Sequence, residues 1–381
     1  MAMENLGRTK KRAPTKQEWN QERGALAASV QRILNTVKAI PDLVIRPELH
    51  FLYHIEVSTA YDGPETHEAA YFKPWSVLEL VKHPIHRQRA KIALGQNVSI
   101  EMQDYMELHC EVASDDQFES RTELEKAKGI ERYLLWAFTA APRMGFGSDS
   151  KTLLSMSMWR IAEGNDDVLD DEMRAVLNEV AQLGAPNHFF VCRDSRKPHV
   201  IMTVCHNSQY DDRLFRVEVI SLLAVMKSRL CSKKFGKHLV IPVLLLSIMA
   251  PNHGRILQGH FDGKTLLIWQ SKLYNFNDAN KRPLDAFLYA LMSTPKRATE
   301  KIPRTVDPYV HEDDLFMEDE TDGRLSIRDV LESLADRLLL GPEPSRLRFS
   351  SVLLLYLPSM PHILHFIQRC RDVGRSTYSV L

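Results

Sequence analysis

The sequence predicts an α+β fold with a helical N-terminal part, a central antiparallel sheet with flanking helices, and a small helical C-terminal part. Two observations support this prediction. Apolar residues recur at helical spacing in several segments. Three apolar segments also follow one another at 239–249, 255–261 and 265–274, as in an antiparallel meander. A chain of 381 residues, 44% of them hydrophobic, can bury a sizeable core.

The N-terminal part divides into a tail and a mainly helical region. Residues 1–24 are polar and basic, and we expect them to form a disordered tail. The mainly helical region covers 25–165, and its first helix is predicted over 25–38. Residues 43–57 alternate polar and apolar side chains, which predicts a strand. The pattern from 75 to 141 is mostly helical.

The central α+β domain is predicted to cover residues 166–304. It contains a hairpin, the three-stranded meander, and helical patterns at 170–184, 212–230 and 283–292. The dipeptide Asp262-Gly263 is typical of a two-residue turn between the last two strands of the meander. Such a turn places Arg255 opposite Gln270.

The chain after residue 304 divides into an acidic linker at 305–323 and a C-terminal helical segment at 324–381. The junction of the two has the spacing of a calcium-binding loop, with candidate ligands Glu318, Glu320, Asp322 and Asp329. The other interpretation is an acidic linker that meets a helix N-terminus, and it is the one we favour. Calcium is therefore an alternative cofactor, and our main expectation is that there is none.

The order helix–strand–strand–strand–helix across 212–292 resembles the core of the restriction-endonuclease-like nucleases. The resemblance implies a magnesium site whose candidate residues are Glu218, Asp262, Gln270 and Lys272. Carboxylate and amide oxygens suit Mg²⁺, and a lysine can polarise the attacking water. The predicted turn, however, separates Asp262 from Gln270 by roughly 20 Å along the strand. We therefore do not expect an active nuclease, and an inactive relative of this fold is left as an alternative.

A basic stretch follows the helix predicted at 212–230 and makes nucleic acid an alternative partner. Its residues are Lys227, Arg229, Lys233, Lys234 and Lys237. The whole chain carries 49 Lys and Arg against 49 Asp and Glu. A neutral chain offers no general attraction to nucleic acid or to an anionic membrane.

The cysteines and apolar runs bear on the compartment. Five scattered cysteines, an odd number, are typical of reduced intracellular thiols. The longest apolar run, 239–250, contains Pro242 and is shorter than the roughly twenty residues of a membrane helix. We expect a cytoplasmic protein without a membrane partner, and the basic triplet at 10–12 makes the nucleus an alternative.

The segment from His238 to Phe276 resembles lineage-restricted proteins of filamentous fungi that have no established activity. The resemblance lies in Gly254-Arg255-Ile256-Leu257, Phe261-Asp262-Gly263 and Lys272-Leu273-Tyr274. It implies a fungal source and an accessory role, associated with a secondary-metabolism locus. We therefore expect a non-enzymatic intracellular interaction or accessory protein with a protein partner. The alternatives are a nuclease-like or nucleic-acid-binding domain at 212–292, and an enzyme whose site the sequence does not reveal.

Overall fold

A computed structural model describes residues 15–59, 71–94, 118–145, 151–163, 167–278, 282–296 and 298–302. The predicted acidic linker and the C-terminal helical segment lie outside these residues, and so do the four candidate calcium ligands. The basic triplet at 10–12 also lies outside them.

A mixed eight-stranded sheet forms the centre of the described chain, in the spatial order β1-β8-β7-β6-β5-β4-β3, with β9 paired to β7. Strands β2 and β10 form a separate pair. The strands are β1 (Ile55–Ser58), β2 (Phe72–Lys73), β3 (Trp159–Ile161), β4 (Ala185–Cys192), β5 (Val200–His206), β6 (Val243–Met249), β7 (His253–Phe261), β8 (Leu266–Gln270), β9 (Tyr274–Asn275) and β10 (Thr294–Pro295).

Helices cover both faces of this sheet. They are α1 (Lys16–Lys38), α2 (Val77–Val81), α3 (Arg87–Leu94), α4 (Phe118–Thr139), α5 (Leu153–Met156), α6 (Asp171–Glu179), α7 (Arg216–Cys231) and α8 (Pro283–Leu291). Two short 3-10 helices lie at Pro47–Tyr53 and Lys233–Phe235.

Side chains that alternate along each strand build two separate cores. Val200 and Met202 of β5 join a core with α1, α6 and α7, whereas Ile201 joins a core with α4 and α8 on the opposite face. Period-two alternation in a strand produces this division. Helix α7 is buried on almost all sides because α1 and α6 pack on it outside the sheet, which explains why its apolar residues are not confined to one face.

The predicted α+β class, with helices flanking a central sheet, is confirmed. The hairpin of β4 and β5 and the meander of β6, β7 and β8 are antiparallel as expected. The sheet is nevertheless mixed, because β5 is parallel to β6 and β1 is parallel to β8. Helix α7 carries the chain from the end of β5 back to the start of β6, and such a crossover makes neighbouring strands parallel.

The prediction of a disordered tail is wrong for residues 16–24, which form the first turns of α1. A capping box begins the helix: the Thr15 side chain accepts a hydrogen bond from the Glu18 amide, and the Glu18 carboxylate accepts one from the Thr15 amide. Arg23 is buried and donates to the carbonyl oxygens of Arg229, Ser232 and His238 at 3.0–3.2 Å. These long-range hydrogen bonds of Arg23 therefore order a segment whose composition is polar.

The strand predicted over 43–57 forms only at its end, as β1. The preceding 3-10 helix begins at Pro47, whose fixed φ angle suits the first turn of a helix. Its side chains Phe51 and Leu52 are 73% and 55% exposed, so the alternating pattern does not reflect burial on one face of a strand.

Strands from both sides of residue 165 share the central sheet. The region 25–165 provides β1 and β3 at its two edges, and 166–304 provides the strands between them. The two regions thus build common cores. In the described ranges, no helix is both long enough and apolar enough to cross a bilayer.

Candidate functional site

Glu218, the helix carboxylate of the nuclease-like prediction, lies in the first turn of α7 and is fully buried. Arg255 donates to its two oxygens from Nε at 2.9 Å and from Nη2 at 2.5 Å. The Phe215 amide donates to Oε2 at 2.8 Å. Burial acts to raise the pKa of Glu218, but the charge and hydrogen bonds of Arg255 outweigh it and the pKa is lowered.

Arg255 is the third residue of β7 and is also fully buried. Besides Glu218, its guanidinium donates to the carbonyl oxygens of Asp211, Asp212 and Arg213 at 2.8–3.2 Å. The guanidinium carbon also lies 5.4 Å from the centre of the Phe215 ring. Arg255 thus ties the loop before α7 to the sheet and neutralises Glu218.

Gln270 joins the same neighbourhood, but Asp262 does not. The Gln270 amide donates to the Asp212 carbonyl at 2.6 Å, which is also an acceptor for Arg255. Asp262 lies in the turn between β7 and β8, where its Oδ1 accepts from the Lys264 and Thr265 amides at 2.8 and 2.7 Å. Its side chain therefore stabilises the turn.

The predicted register of this hairpin is wrong. Gln270 pairs with Leu257, and Arg255 pairs with Ser247 of β6. The turn is centred on Gly263 and Lys264, with Gly263 at φ +99°. It takes this form because the Asp262 side chain accepts hydrogen bonds from the amides of Lys264 and Thr265. Five residues separate Asp262 from Leu257, a distance of roughly 17 Å along the strand. The corrected register thus still keeps Asp262 away from Gln270.

Lys272, the fourth candidate, is exposed, and its Nζ lies 5.9 Å from the centre of the Tyr274 ring. The structure therefore places two of the four candidates, Glu218 and Gln270, near the guanidinium of Arg255. Glu218 binds it directly, and Gln270 shares the Asp212 carbonyl with it. Within the described ranges, no group of three or more His, Cys, Asp or Glu side chains is placed to hold a metal ion.

A serine–histidine pair lies beside this cluster and was not predicted from the sequence. His206 Nε2 is 3.0 Å from Ser247 Oγ, and Glu218 lies close enough to influence the histidine. These residue types can form a nucleophilic site. Here all three are 0% exposed, so a substrate cannot reach them. No local motif indicates this pair, because His206 lies on β5 and Ser247 on β6, 41 residues apart in sequence.

A second buried carboxylate, Glu131 of α4, binds strands β4 and β5. It accepts hydrogen bonds from Asn187 Nδ2 at 2.7 Å and Thr203 Oγ1 at 2.5 Å. The pKa of the neighbouring Cys205 thiol is raised well above its usual value, first by burial and then by Glu131. The thiolate is the reactive form, so this environment opposes a nucleophilic role for Cys205.

The predicted basic stretch does not form one continuous surface. Arg229 is buried and donates to the carbonyl oxygens of Pro198 and Asp167, and its guanidinium lies 4.6 Å from the centre of the Phe235 ring. Lys227 pairs with Glu172 at 3.3 Å. Lys233, Lys234 and Lys237 remain exposed. Arg229 and Lys227 therefore hold the C-terminal part of α7 against neighbouring segments of the chain.

An open groove of roughly 660 Å³ lies elsewhere, between α1, the end of the first 3-10 helix, and the turn that joins β7 to β8. Three segments that are distant in sequence line it: Ser29, Arg32, Ile33 and Thr36; Leu52, Tyr53 and His54; and Gly263, Lys264 and Thr265. We refer to it as the α1 groove. It was not predicted from the sequence.

Acidification from pH 7 to pH 5 is expected to destabilise the protein through His199 and His206. Burial, the main cause in both, lowers the pKa of His199 from 6.5 to about 3 and that of His206 from 6.5 to about 4. For His206, Glu218 raises the pKa and Arg255 lowers it. Between pH 7 and 5 the unfolded chain therefore binds more protons than the folded chain, so the free energy of unfolding falls by about 2 kcal/mol for each histidine.

Urea unfolding followed by circular dichroism at several pH values measures this dependence. A His206→Gln variant removes one titrating group, and its free energy of unfolding should fall less between pH 7 and 5. An equal decrease in the wild type and in the variant would contradict the assignment to His206.

No family model matches this chain, and comparisons with the curated proteins and with the solved structures found no match.

Proposed function

We propose that this chain is a non-enzymatic interaction or accessory protein that acts by binding a protein partner. The observation that carries the non-enzymatic part of this proposal is the buried ion pair of Glu218 and Arg255. In the nuclease-like alternative, Glu218 would be a ligand of a divalent cation. Here an arginine of the same chain neutralises it and occupies the space beside it.

A divalent cation would have to displace Arg255 from Glu218 and from the three loop carbonyls that it binds. Displacement would leave a guanidinium buried without its partner, which costs several kcal/mol. Coulomb repulsion from Arg255 further opposes a cation at this position. The arrangement thus supports a structural role for Glu218.

The fungal resemblance of residues 238–276 supports an accessory role, associated with a secondary-metabolism locus. The scattered cysteines support a cytoplasmic location. Fluorescence microscopy of the tagged full chain would test the location, with the nucleus as the alternative.

The test is metal-dependent nuclease activity of the full chain. We expect no heat of binding above buffer when Mg²⁺ or Mn²⁺ is titrated into the protein, and no cleavage of plasmid DNA, single-stranded DNA or RNA. The exposed Lys272 allows a control that should not disturb folding. Metal-dependent cleavage by the wild type that disappears in Lys272→Ala would overturn the proposal.

Binding of a labelled oligonucleotide tests the nucleic-acid alternative in the same preparation. We expect no salt-dependent binding near physiological ionic strength. Binding that is lost in a Lys233→Glu/Lys237→Glu variant would instead assign the exposed lysines to a nucleic-acid surface.

A further inference from the structure

We propose that the α1 groove binds a peptide segment of a partner protein in which acidic residues flank apolar side chains. The proposal rests on the proposed function, since it names the surface and the class of partner. It is carried by three features of the groove: its charge, its apolar wall and its fixed shape.

Two cations and a histidine from three different segments line the groove. Arg32 lies on α1, His54 follows the first 3-10 helix, and Lys264 lies in the turn before β8. All three are exposed, and none of the described residues that line the groove is Asp or Glu. The carboxylate of Asp262 next to Lys264 is held by the two turn amides. The lining is therefore complementary to an acidic ligand.

One wall of the groove is apolar. Leu52 lines it and is 55% exposed, and its neighbour Phe51 is 73% exposed. Tyr53, which is partly exposed, contributes further apolar surface from the same 3-10 helix. Large exposed apolar side chains beside a polar rim are typical of protein-binding surfaces. A small inorganic anion would leave this wall uncovered, whereas an acidic segment with apolar side chains would use both parts.

The groove is preorganised by the core beneath it. A Cβ atom on Gly263 would lie 3.1 Å from Ile302 Cδ1 and 3.5 Å from Leu26 Cδ2, so the turn packs closely on core side chains. The amides of Lys264 and Thr265 are bound by Asp262. On the side of the groove formed by α1, the Ile33 side chain is buried. Fixed walls reduce the entropy that a peptide ligand loses on binding.

The experiment is selection of a random twelve-residue peptide library, displayed on phage, against the full-length protein. We expect enrichment of peptides that combine several Asp or Glu residues with Leu, Ile, Phe or Met. Synthetic copies of the enriched peptides are then titrated by fluorescence anisotropy against the wild type and three variants.

Arg32→Glu/Lys264→Glu reverses two charges of the groove and should weaken binding at least tenfold. Lys233→Glu/Lys237→Glu makes the same change of charge outside the groove lining and should leave the affinity within twofold. Leu52→Ser should weaken binding about fivefold by removing apolar contact area. Because the contacts are exposed, raising the salt concentration should also weaken binding.

Failure to enrich such peptides, or equal binding to both charge-reversed variants, would overturn the proposal. Displacement of the peptide by millimolar inorganic phosphate, together with unchanged binding to Leu52→Ser, would identify a simple anion site instead. These outcomes are independent of the nuclease assay. If the nuclease assay is negative and no peptide binds, only the proposed peptide site in the α1 groove is rejected. If metal-dependent cleavage is observed, the proposed non-enzymatic function is rejected.

Discussion

Replacing Arg255 with methionine is expected to lower the free energy of unfolding by about 3–5 kcal/mol. The substitution keeps a long side chain but leaves the fully buried Glu218 without its counter-charge. The carbonyl oxygens of Asp211 and Arg213 also lose this donor, and that of Asp212 keeps only Gln270. Urea unfolding followed by circular dichroism measures the change, with the slope of the transition checked for two-state behaviour.

The matched control is Arg196→Met, which breaks a pair with Asp194 in which the arginine side chain is 87% exposed. An exposed pair is screened by solvent and contributes little, so this variant should remain close to the wild type. The double variant Glu218→Gln/Arg255→Met should lose at least 1 kcal/mol less than the sum of the two single variants, since their interaction is counted twice in that sum. Additivity of the two single effects would contradict a direct interaction.

Gly184→Ala is expected to destabilise the protein by about 3 kcal/mol, since strain at a positive φ and overpacking each cost roughly 1–3 kcal/mol. Gly184 has φ +142°, a backbone angle that residues other than glycine rarely adopt. A Cβ atom there would lie 2.5 Å from the His206 Cβ and 2.9 Å from the Cys205 carbonyl oxygen. The position is crowded by β5 itself, which cannot move without disturbing the sheet.

Gly24→Ala provides the control for this substitution. Gly24 lies within α1, and nothing lies within 4 Å of the position that its Cβ would occupy. Alanine should therefore stabilise the protein by about 0.5–1 kcal/mol through its higher helix propensity. Thermal unfolding of both variants would show opposite shifts, and a shift of the same sign would contradict the argument.

Local patterns were sufficient for elements whose burial follows their own periodicity. The apolar spacing along α1 and the apolar segments of β6, β7 and β8 predicted their type. Predictions failed where a distant contact decides the outcome. The start of α1 depends on Arg23 and the C-terminal end of α7, and residues 47–53 form a 3-10 helix in spite of their alternating pattern.

The candidate sites were harder to predict than the elements. The resemblance to restriction-endonuclease-like nucleases suggested Glu218 and Gln270, and the structure does place them in one neighbourhood. The role of Glu218 depends on Arg255 of β7, which is 37 residues away in sequence. The register of β7 and β8 depends on one side-chain cap in the turn, and a shift of two residues leaves the apolar pattern unchanged.

Composition and periodicity alone determined the α+β class and the identity of most central helices and strands, because burial of apolar surface follows the repeat of each element. Only the tertiary structure decided which charges are neutralised and which are accessible. The Glu218–Arg255 pair and the α1 groove each join segments far apart in the chain, and local sequence does not encode such distances. Folding places one arginine in the core against a carboxylate and leaves another at the rim of an open groove.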